Sequence, residues 1–295
     1  MDSLLRDNAL FALAAAALWG GGDFSGGMGV KRAGGGIRAA LRVVLLSHIT
    51  SFAVLVAIAR LRGDVFPHGA LLAWGLAAGV AGGLALTGFY IALSRGAMGA
   101  SAAVSGLLAA AIPAALTLWR QGSPGALPLV GFAVAGAAIW LIAAGDSAAG
   151  ESKTARSTVL LALLAGVGFG LYFVALKMAG SAGIIWPMAT ARIGSLTVCS
   201  VMLLALRSQS GGEARVRLTR QAVGWALSTA LLDTSGNLLF LAATRAGRLD
   251  VAAVLASLYP ASTILLAALA LGERPTRRQV LGMLTAVAAV ILIAM

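Results

Sequence analysis

Residues 69–94 read GALLAWGLAAGVAGGLALTGFYIALS and contain no charged side chain. A helix needs roughly 20 apolar residues to cross the hydrocarbon core of a bilayer, so this stretch is long enough to span one. Asp64 precedes it and Arg95 follows it, at the two ends where a charged side chain can reach water or lipid headgroups. The stretch therefore predicts a membrane-spanning helix.

The same alternation of apolar stretches and short charged breaks recurs along the whole chain. Of the 295 residues, 60% are hydrophobic and 11% are charged, whereas a soluble domain carries about 25% charged residues. This composition excludes a disordered chain and argues against a soluble globule. We predict an all-α membrane protein with ten transmembrane helices, at residues 8–28, 35–59, 69–94, 98–119, 125–145, 156–178, 184–206, 219–244, 249–271 and 277–294.

Charge and cysteine content narrow the classes of partner. The net charge is +12, but the basic residues lie mainly between the apolar stretches, where lipid headgroups explain them more simply than a nucleic acid does. The single cysteine, Cys199, cannot form an intramolecular disulfide. His48 and His68 belong to no acidic motif, so the sequence predicts no metal site and no cofactor. Residues 1–22 imitate a signal peptide, but we interpret them as part of the first helix because apolar segments simply continue.

The two halves of the chain are related by an offset of about 150 residues. The matched positions are Trp19-Gly20 with Phe169-Gly170, Arg42 with Arg192, Arg95 with Arg245, Pro113 with Pro260, and Gly131 with Gly282. We predict a first repeat at 1–145, a polar linker at 146–155 and a second repeat at 156–295. Because each repeat holds five spans, equivalent helices cross the membrane in opposite directions, as in the inverted-topology repeats of transporters.

Two segments carry a resemblance to a known family. Phe169–Lys177 is similar to the opening helix, and Leu255–Leu284, with Gly272-Glu273-Arg274, to the closing signature of the EamA family of the drug/metabolite transporter superfamily. The first half departs from that pattern, because Trp119-Arg120-Gln121-Gly122 stands where Gly-Glu-Arg would be expected. The resemblance covers the chain as two tandem units and implies a ten-helix transporter, most similar to the bacterial aromatic amino-acid exporter branch.

Two carboxylates within predicted spans are candidate substrate-binding groups. Asp233 lies near the centre of the eighth span, where an ionisable residue marks a functional site by default. It is interpreted either as a proton-coupling group or substrate counter-ion, or as the partner of a buried Arg or Lys. Asn237 follows one helical turn later on the same face. Asp23 follows Gly20–Gly22, which could loosen the backbone, although solvation near a helix end is the stronger expectation.

The remaining candidate residues are aromatic, small or helix-bending. Tyrosine and tryptophan offer an apolar face with a polar tip, which suits an amphipathic ligand, and small residues make room for a pocket. Ordinary packing between helices is the alternative for each. The candidate substrate-binding residues of this kind are Trp19, Tyr90, Tyr172, Tyr259, Ser101, Ser105 and Ser257, and the expected kinks are at Pro113 and Pro260.

Four further polar residues are expected to have structural roles. Arg42 and Arg192 lie early in their spans and are expected to snorkel to the interface, as is Lys177 near a helix end. His48 is central in the second span, where a satisfied polar contact is favoured over a proton relay.

These features predict a secondary transporter in the bacterial inner membrane that exports small metabolites, with amino acids, including aromatic ones, as the leading class. Its expected partners are the substrate, the lipid bilayer and protons, and a monomer is sufficient. Exporters of cationic drugs or nucleoside-like compounds are the alternative. An intramembrane aspartyl protease is a remote alternative. It is suggested by Gly20–Asp23, which fits a Gly-x-Gly-Asp pattern. Such an enzyme would require the Asp23 and Asp233 carboxylates to lie within about 4 Å.

Loop charges predict the orientation. In the loops and at the ends of the spans, and leaving out Arg42 and Arg192, the side carrying both termini has seven basic residues and the opposite side has thirteen. The positive-inside rule then places both termini outside the cytoplasm, although Arg6 and the family resemblance favour the reverse. A reporter fused after Met295 should therefore be active only outside the cytoplasm, and activity confined to the cytoplasm would contradict this orientation.

Overall fold

The computed structural model describes residues 2–95, 98–144, 153–208, 218–272 and 276–294, and these residues are almost entirely helical. In the described part of the chain there are eleven α-helices and one short 3-10 turn at Gly180–Ala182. The helices are α1 (Asp2–Arg32), α2 (Gly36–Arg62), α3 (Gly69–Ser94), α4 (Met98–Gln121), α5 (Ala126–Ala144), α6 (Lys153–Ala179), α7 (Ile185–Ser208), α8 (Arg220–Ala246), α9 (Leu249–Ala256), α10 (Tyr259–Leu271) and α11 (Arg277–Ala294).

The helices fall where hydropathy predicts them. Seven spans among the described residues are long and apolar enough to cross a membrane, and Ala126–Ile142 forms a shorter apolar helix. The all-α membrane class is therefore confirmed. The seven are Gly36–Arg62, Gly69–Ser94, Met98–Gln121, Arg156–Ala182, Ile185–Leu206, Arg220–Ala246 and Leu249–Leu271.

The two prolines expected to bend helices behave differently. The span 249–271 is broken at Ser257–Leu258 into α9 and α10. Pro260 lies in the first turn of α10, where a backbone N–H has no partner within the helix, so its missing N–H costs no hydrogen bond. Pro113 lies inside α4, which continues through it. Pro260 therefore marks a helix start, whereas the sequence predicted a kink there.

Contacts between helix ends show the relative direction of two pairs of helices. At one end, Asn8 in α1 donates to the carbonyl of Ala243 near the end of α8, at 3.0 Å. At the other, Arg38 at the start of α2 donates to the carbonyl of Leu206 near the end of α7, at 3.1 Å. In both pairs, the start of a helix from the first half thus lies beside the end of a helix from the second half.

The principal helix pairs between the two halves are preserved when the halves are exchanged. The main pairs are α1 with α8 and α6 with α3, α2 with α7, and α5 with α11; α1 also packs on α9 and α10 as α6 packs on α4. Most of the interior is thus formed between the halves.

Helices α3 and α7 approach so closely that only glycine fits at their crossing. A Cβ atom at Gly79 would overlap the carbonyl of Ala191, and one at Gly194 would overlap the carbonyl of Leu76. Such close approach through small residues is typical of helices packed in a membrane. This contact brings the middle of α7 against the middle of α3.

Gly79→Ala should lower stability, because the added methyl group meets backbone that cannot move without separating the helices. Overpacking of this kind costs about 1–3 kcal/mol. The matched control is Gly136→Ala in α5, where nothing lies within 4 Å of the new Cβ and where stability should be unchanged or slightly raised. Thermal unfolding in detergent measures both, and equal melting temperatures for the two variants would contradict the proposed crossing.

Candidate functional site

A buried cavity lies between the two halves. Helices α1, α2, α3, α6, α7, α8 and α10 all contribute to its wall. Its volume is about 40 Å³, which is room for a few water molecules and less than an amino acid needs. The lining residues are Trp19, Asp23, His48, Gly79, Gly82, Gly83, Leu86, Phe169, Tyr172, Phe173, Ala191, Arg192, Ser195, Asp233, Asn237 and Tyr259.

An ion pair between Arg192 and Asp233 occupies one side of the cavity. The Nη2 atom of Arg192 lies 2.5 Å from Oδ2 of Asp233, and the arginine is only 3% exposed. The expectation that Arg192 snorkels to the interface is wrong. Because α7 begins at Ile185, Arg192 lies two turns inside the helix, roughly 10 Å from its start. Asp233 is thus paired with a buried arginine, which is the structural alternative that its position in the sequence allowed.

The other nitrogens of the Arg192 guanidinium are also bonded. Nε donates to Oγ of Ser51 at 2.9 Å, and Nη1 lies 2.8 Å from Nε2 of His48. Oγ of Thr234 is 3.4 Å from Nη2. The arginine is thus held by side chains of α2 and α8 together, which fixes where the three helices meet.

Asp23 faces the same cavity without a counter-charge. Helix α1 continues to Arg32, so Asp23 lies nine residues before its end and is buried; the expectation that a helix end solvates it is wrong. Within the described residues, its carboxylate forms no hydrogen bond and no ion pair. The cavity therefore contains two carboxylates and one guanidinium.

The glycines before Asp23 pack helices and do not unwind them. Helix α1 is unbroken through this segment. A Cβ at Gly20 would lie 2.4 Å from the Cβ of Ser262, and one at Gly22 would lie 3.3 Å from the backbone nitrogen of Asp233. The expected loosening of the backbone is therefore wrong, and the glycines let α1 lie directly against α8 and α10.

Asn237 and Tyr172 continue the polar wall. The hydroxyl of Tyr172 donates to Oδ1 of Asn237 at 2.7 Å, and Nδ2 of Asn237 donates to the backbone carbonyl of Asp233 at 2.7 Å. Asp233 and Asn237 both line the cavity, as their four-residue spacing predicts.

Aromatic rings form the opposite wall. Trp19 stacks on Phe173 with a centroid distance of 5.2 Å and an interplanar angle of 5°. Tyr259 meets Trp19 edge-on at 6.5 Å, and Phe169 also lines the cavity. The sequence analysis missed Phe169 and Phe173 as lining residues, although both lie within the segment that carries the family resemblance.

Four predicted binding residues are buried outside the cavity lining. Ser105 is linked to the cavity indirectly, because its Oγ lies 2.5 Å from the hydroxyl of Tyr259, which does line the cavity. The hydroxyls of Tyr90 and Ser257 have no hydrogen-bond partner in the described part of the chain, and Ser101 is buried. These residues surround the cavity without reaching its surface.

His48 lines the cavity through a contact that the sequence could not specify. Its Nδ1 lies 2.6 Å from Oγ of Ser195, so the expected polar contact is confirmed. Lys177, expected to snorkel, donates to the backbone carbonyl of Thr244 on α8. Arg42, the repeat mate of Arg192, is half-buried.

A second, wider cavity lies at the end of α2, the start of α7 and the end of α8. Its volume is about 450 Å³, and Arg62, Asp64, Trp186 and Arg245 are among its lining residues. Trp186 donates to the backbone carbonyl of Asp64 at 2.7 Å. We call this cavity the vestibule; it lies at the end of the bundle where α1 begins.

The aspartyl-protease alternative depends on a direct contact between the carboxylates of Asp23 and Asp233. Asp233 is paired with Arg192, and among the described residues no hydrogen bond joins it to Asp23. A proton-sharing dyad requires that contact.

Comparisons with known proteins agree with the fold. Residues 156–295 match the model of the EamA-like transporter family. A solved structure, described only as the crystal structure of a protein, is similar over 97% of this chain and 96% of its own, with a TM-score of 0.69 and 15% identity, which concerns the fold alone. No curated protein matches the chain in sequence. The family match and the apolar helices support a membrane transporter of the drug/metabolite kind.

Removing either partner of the Arg192–Asp233 pair should destabilise the protein more than removing both. Arg192→Gln or Asp233→Asn leaves an uncompensated buried charge, which costs about 3–5 kcal/mol, and the double variant should recover much of that loss. Unfolding in detergent measures the cycle.

The exposed pair of Arg62 and Asp64 supplies the control for that cycle. Asp64→Asn should cost about 1 kcal/mol or less. Strictly additive losses in the Arg192 and Asp233 variants would show that the buried pair does not act as a unit.

Proposed function

We propose that this chain is a secondary transporter of the EamA-like kind that exports small amphipathic metabolites across the bacterial inner membrane, with amino acids, including aromatic ones, as the leading class. The observation that carries the proposal is the cavity between the halves, which combines a buried ion pair, a second carboxylate and an aromatic wall.

The proposed architecture is ten transmembrane helices in two inverted repeats, at 1–145 and 156–295, with α9 and α10 counted as one span. The family match covers the second repeat. The exchange symmetry of the helix pairs supports the first as its counterpart. Three pairs of positions related by the 150-residue offset also line one cavity: Trp19 with Phe169, Asp23 with Phe173, and Gly83 with Asp233. A site shared between repeats near mid-membrane is the usual transporter arrangement.

The cavity chemistry suits a zwitterion with an apolar side chain. Asp23 offers an unpaired carboxylate for an ammonium group, and Arg192 is the nearest cation for a carboxylate. The rings of Trp19 and Phe173 offer an apolar surface. Because Arg192 already balances Asp233, Asp23 is a better candidate than Asp233 for binding the substrate ammonium or a coupling proton.

The present cavity is too small for such a substrate, so binding requires the helices to separate. The vestibule is about ten times larger and borders the same helices α7 and α8. Ile185 and Trp186 line the vestibule and Arg192 lines the cavity, about two helical turns apart. Alternating access would then connect the cavity first to the vestibule and then to the other side.

Cationic compounds are a second candidate class, favoured by one observation. With both carboxylates ionised, two negative charges face one positive charge in the cavity. A monovalent organic cation would balance the site and rest against the aromatic wall. Anionic substrates are disfavoured by the same count.

Purified protein in sealed vesicles should accelerate the efflux of labelled amino acids. Asp23→Asn should reduce this efflux at least about tenfold, because it removes a charge-assisted contact to the ammonium. Asp7→Asn is the control, because Asp7 is an exposed carboxylate near the start of α1 that lines neither cavity, and this variant should transport normally. Transport of only a sugar or a nucleotide, or normal efflux by Asp23→Asn, would contradict the proposal; transport of cations without zwitterions would move it to the second class.

A further inference from the structure

Four side chains form a continuous hydrogen-bonded chain beside the cavity. Oγ of Ser195 lies 2.6 Å from Nδ1 of His48, Nε2 of His48 lies 2.8 Å from Nη1 of Arg192, and Nη2 of Arg192 lies 2.5 Å from Oδ2 of Asp233. Every member is buried. Hydrogen-bond chemistry assigns the proton positions along this chain.

Arginine determines the state of the histidine. A guanidinium has only donors and remains protonated in proteins, so Nε2 of His48 must accept from Arg192. A neutral imidazole with a bare Nε2 carries its proton on Nδ1, which then donates to Oγ of Ser195. Flipping the ring would place carbon atoms at both contacts and lose both hydrogen bonds.

We propose that His48 is a positioning residue, which holds Arg192 in place through its neutral Nδ1–H tautomer and releases it when the ring takes up a second proton. In the imidazolium both nitrogens are donors, so Nε2–H would face the N–H of Arg192 across the present 2.8 Å, with like charges in contact. Proton uptake by His48 and the present placement of Arg192 therefore exclude one another.

The groups around Arg192 determine where its side chain lies once the contact with His48 is lost. Its other anchors are Ser51 on α2 and Asp233 and Thr234 on α8. The charged or titratable groups that the neighbouring helices place around this centre are Arg192 and Cys199 on α7, Asp233 on α8, Asp23 on α1, Tyr90 on α3 and Tyr172 on α6. Two of them are carboxylates at the cavity, so an Arg192 released by His48 remains on the cavity side.

The consequence for transport rests on the proposed function. If Arg192 binds the carboxylate of the substrate, a proton on His48 changes how Arg192 is presented and hence the substrate affinity. His48 would then link proton concentration to KM without touching the substrate itself. Asp23 would remain the contact for the ammonium group.

The tautomer can be tested without any transport assay. His48 and His68 are the only histidines, so a His68→Gln variant labelled with ¹⁵N-histidine reports His48 alone by NMR in detergent micelles. At neutral pH we expect a protonated Nδ1 and a bare Nε2, and Arg192→Met, which offers His48 no donor, should abolish the preference for that tautomer. A protonated Nε2 at neutral pH, or a tautomer unaffected by Arg192→Met, would overturn the proposal.

Transport supplies the second test, with two substitutions that differ in one property. The amide of His48→Gln can accept from Arg192 and donate to Ser195, whereas His48→Leu offers no acceptor. We expect His48→Gln to keep the wild-type KM at neutral pH but to lose the dependence of KM on pH on the acid side of neutrality. His48→Leu should raise KM about tenfold, with less effect on kcat.

The outcomes separate this inference from the proposed function. A His48→Gln variant that keeps the wild-type pH profile overturns the role of His48, whichever substrate is transported. If His48→Leu does not fold, the NMR result and His48→Gln still decide. If no metabolite is transported at all, the proposed function fails, and the NMR result alone decides whether His48 positions Arg192.

Discussion

A guanidinium buried between membrane helices has to be balanced, and much of this structure depends on how Arg192 is balanced. An unpaired charge in the hydrocarbon region costs at least a few kcal/mol. Asp233 supplies the opposite charge, and His48 and Ser51 accept from the other two nitrogens. Thr234 lies 3.4 Å from the nitrogen that bonds Asp233. Helices α2, α7 and α8 can satisfy these bonds only in one register. The same register encloses the cavity.

Close helix packing makes that register possible. The glycines of α3 and α7 let the backbones of these two helices touch, and the glycines of α1 let α1 pack directly against α8 and α10. In lipid there is little hydrophobic driving force between helices, so contact at van der Waals distance and polar bonds between helices provide the association. The polar centre and the glycine crossings are therefore two parts of one packing solution.

A symmetric scaffold here carries an asymmetric site. Asp233 corresponds to Gly83 at the 150-residue offset, and Asp23 corresponds to Phe173, yet all four line one cavity. Arg192 is buried in its ion pair, whereas its repeat mate Arg42 is half-buried. Helices that correspond at this offset thus surround the cavity, while the residues that differ between corresponding positions supply its charge.

The sequence by itself determined the helices and their order, because the cost of exposing backbone and charge to lipid leaves few alternatives for a 20-residue apolar stretch. The boundaries at Gly69–Ser94 and Arg277–Ala294 were predicted almost to the residue. Asp23, Asp233 and Asn237 were likewise predictable as site candidates, since polar residues are rare in such stretches. The partners of those residues were decided only by the tertiary structure. Arg192 and His48 lie 144 positions apart, and no local pattern in either helix indicates that their side chains meet. Whether a polar residue snorkels, pairs or faces a cavity depends on which helix face lies opposite it, and that is a property of the packed bundle.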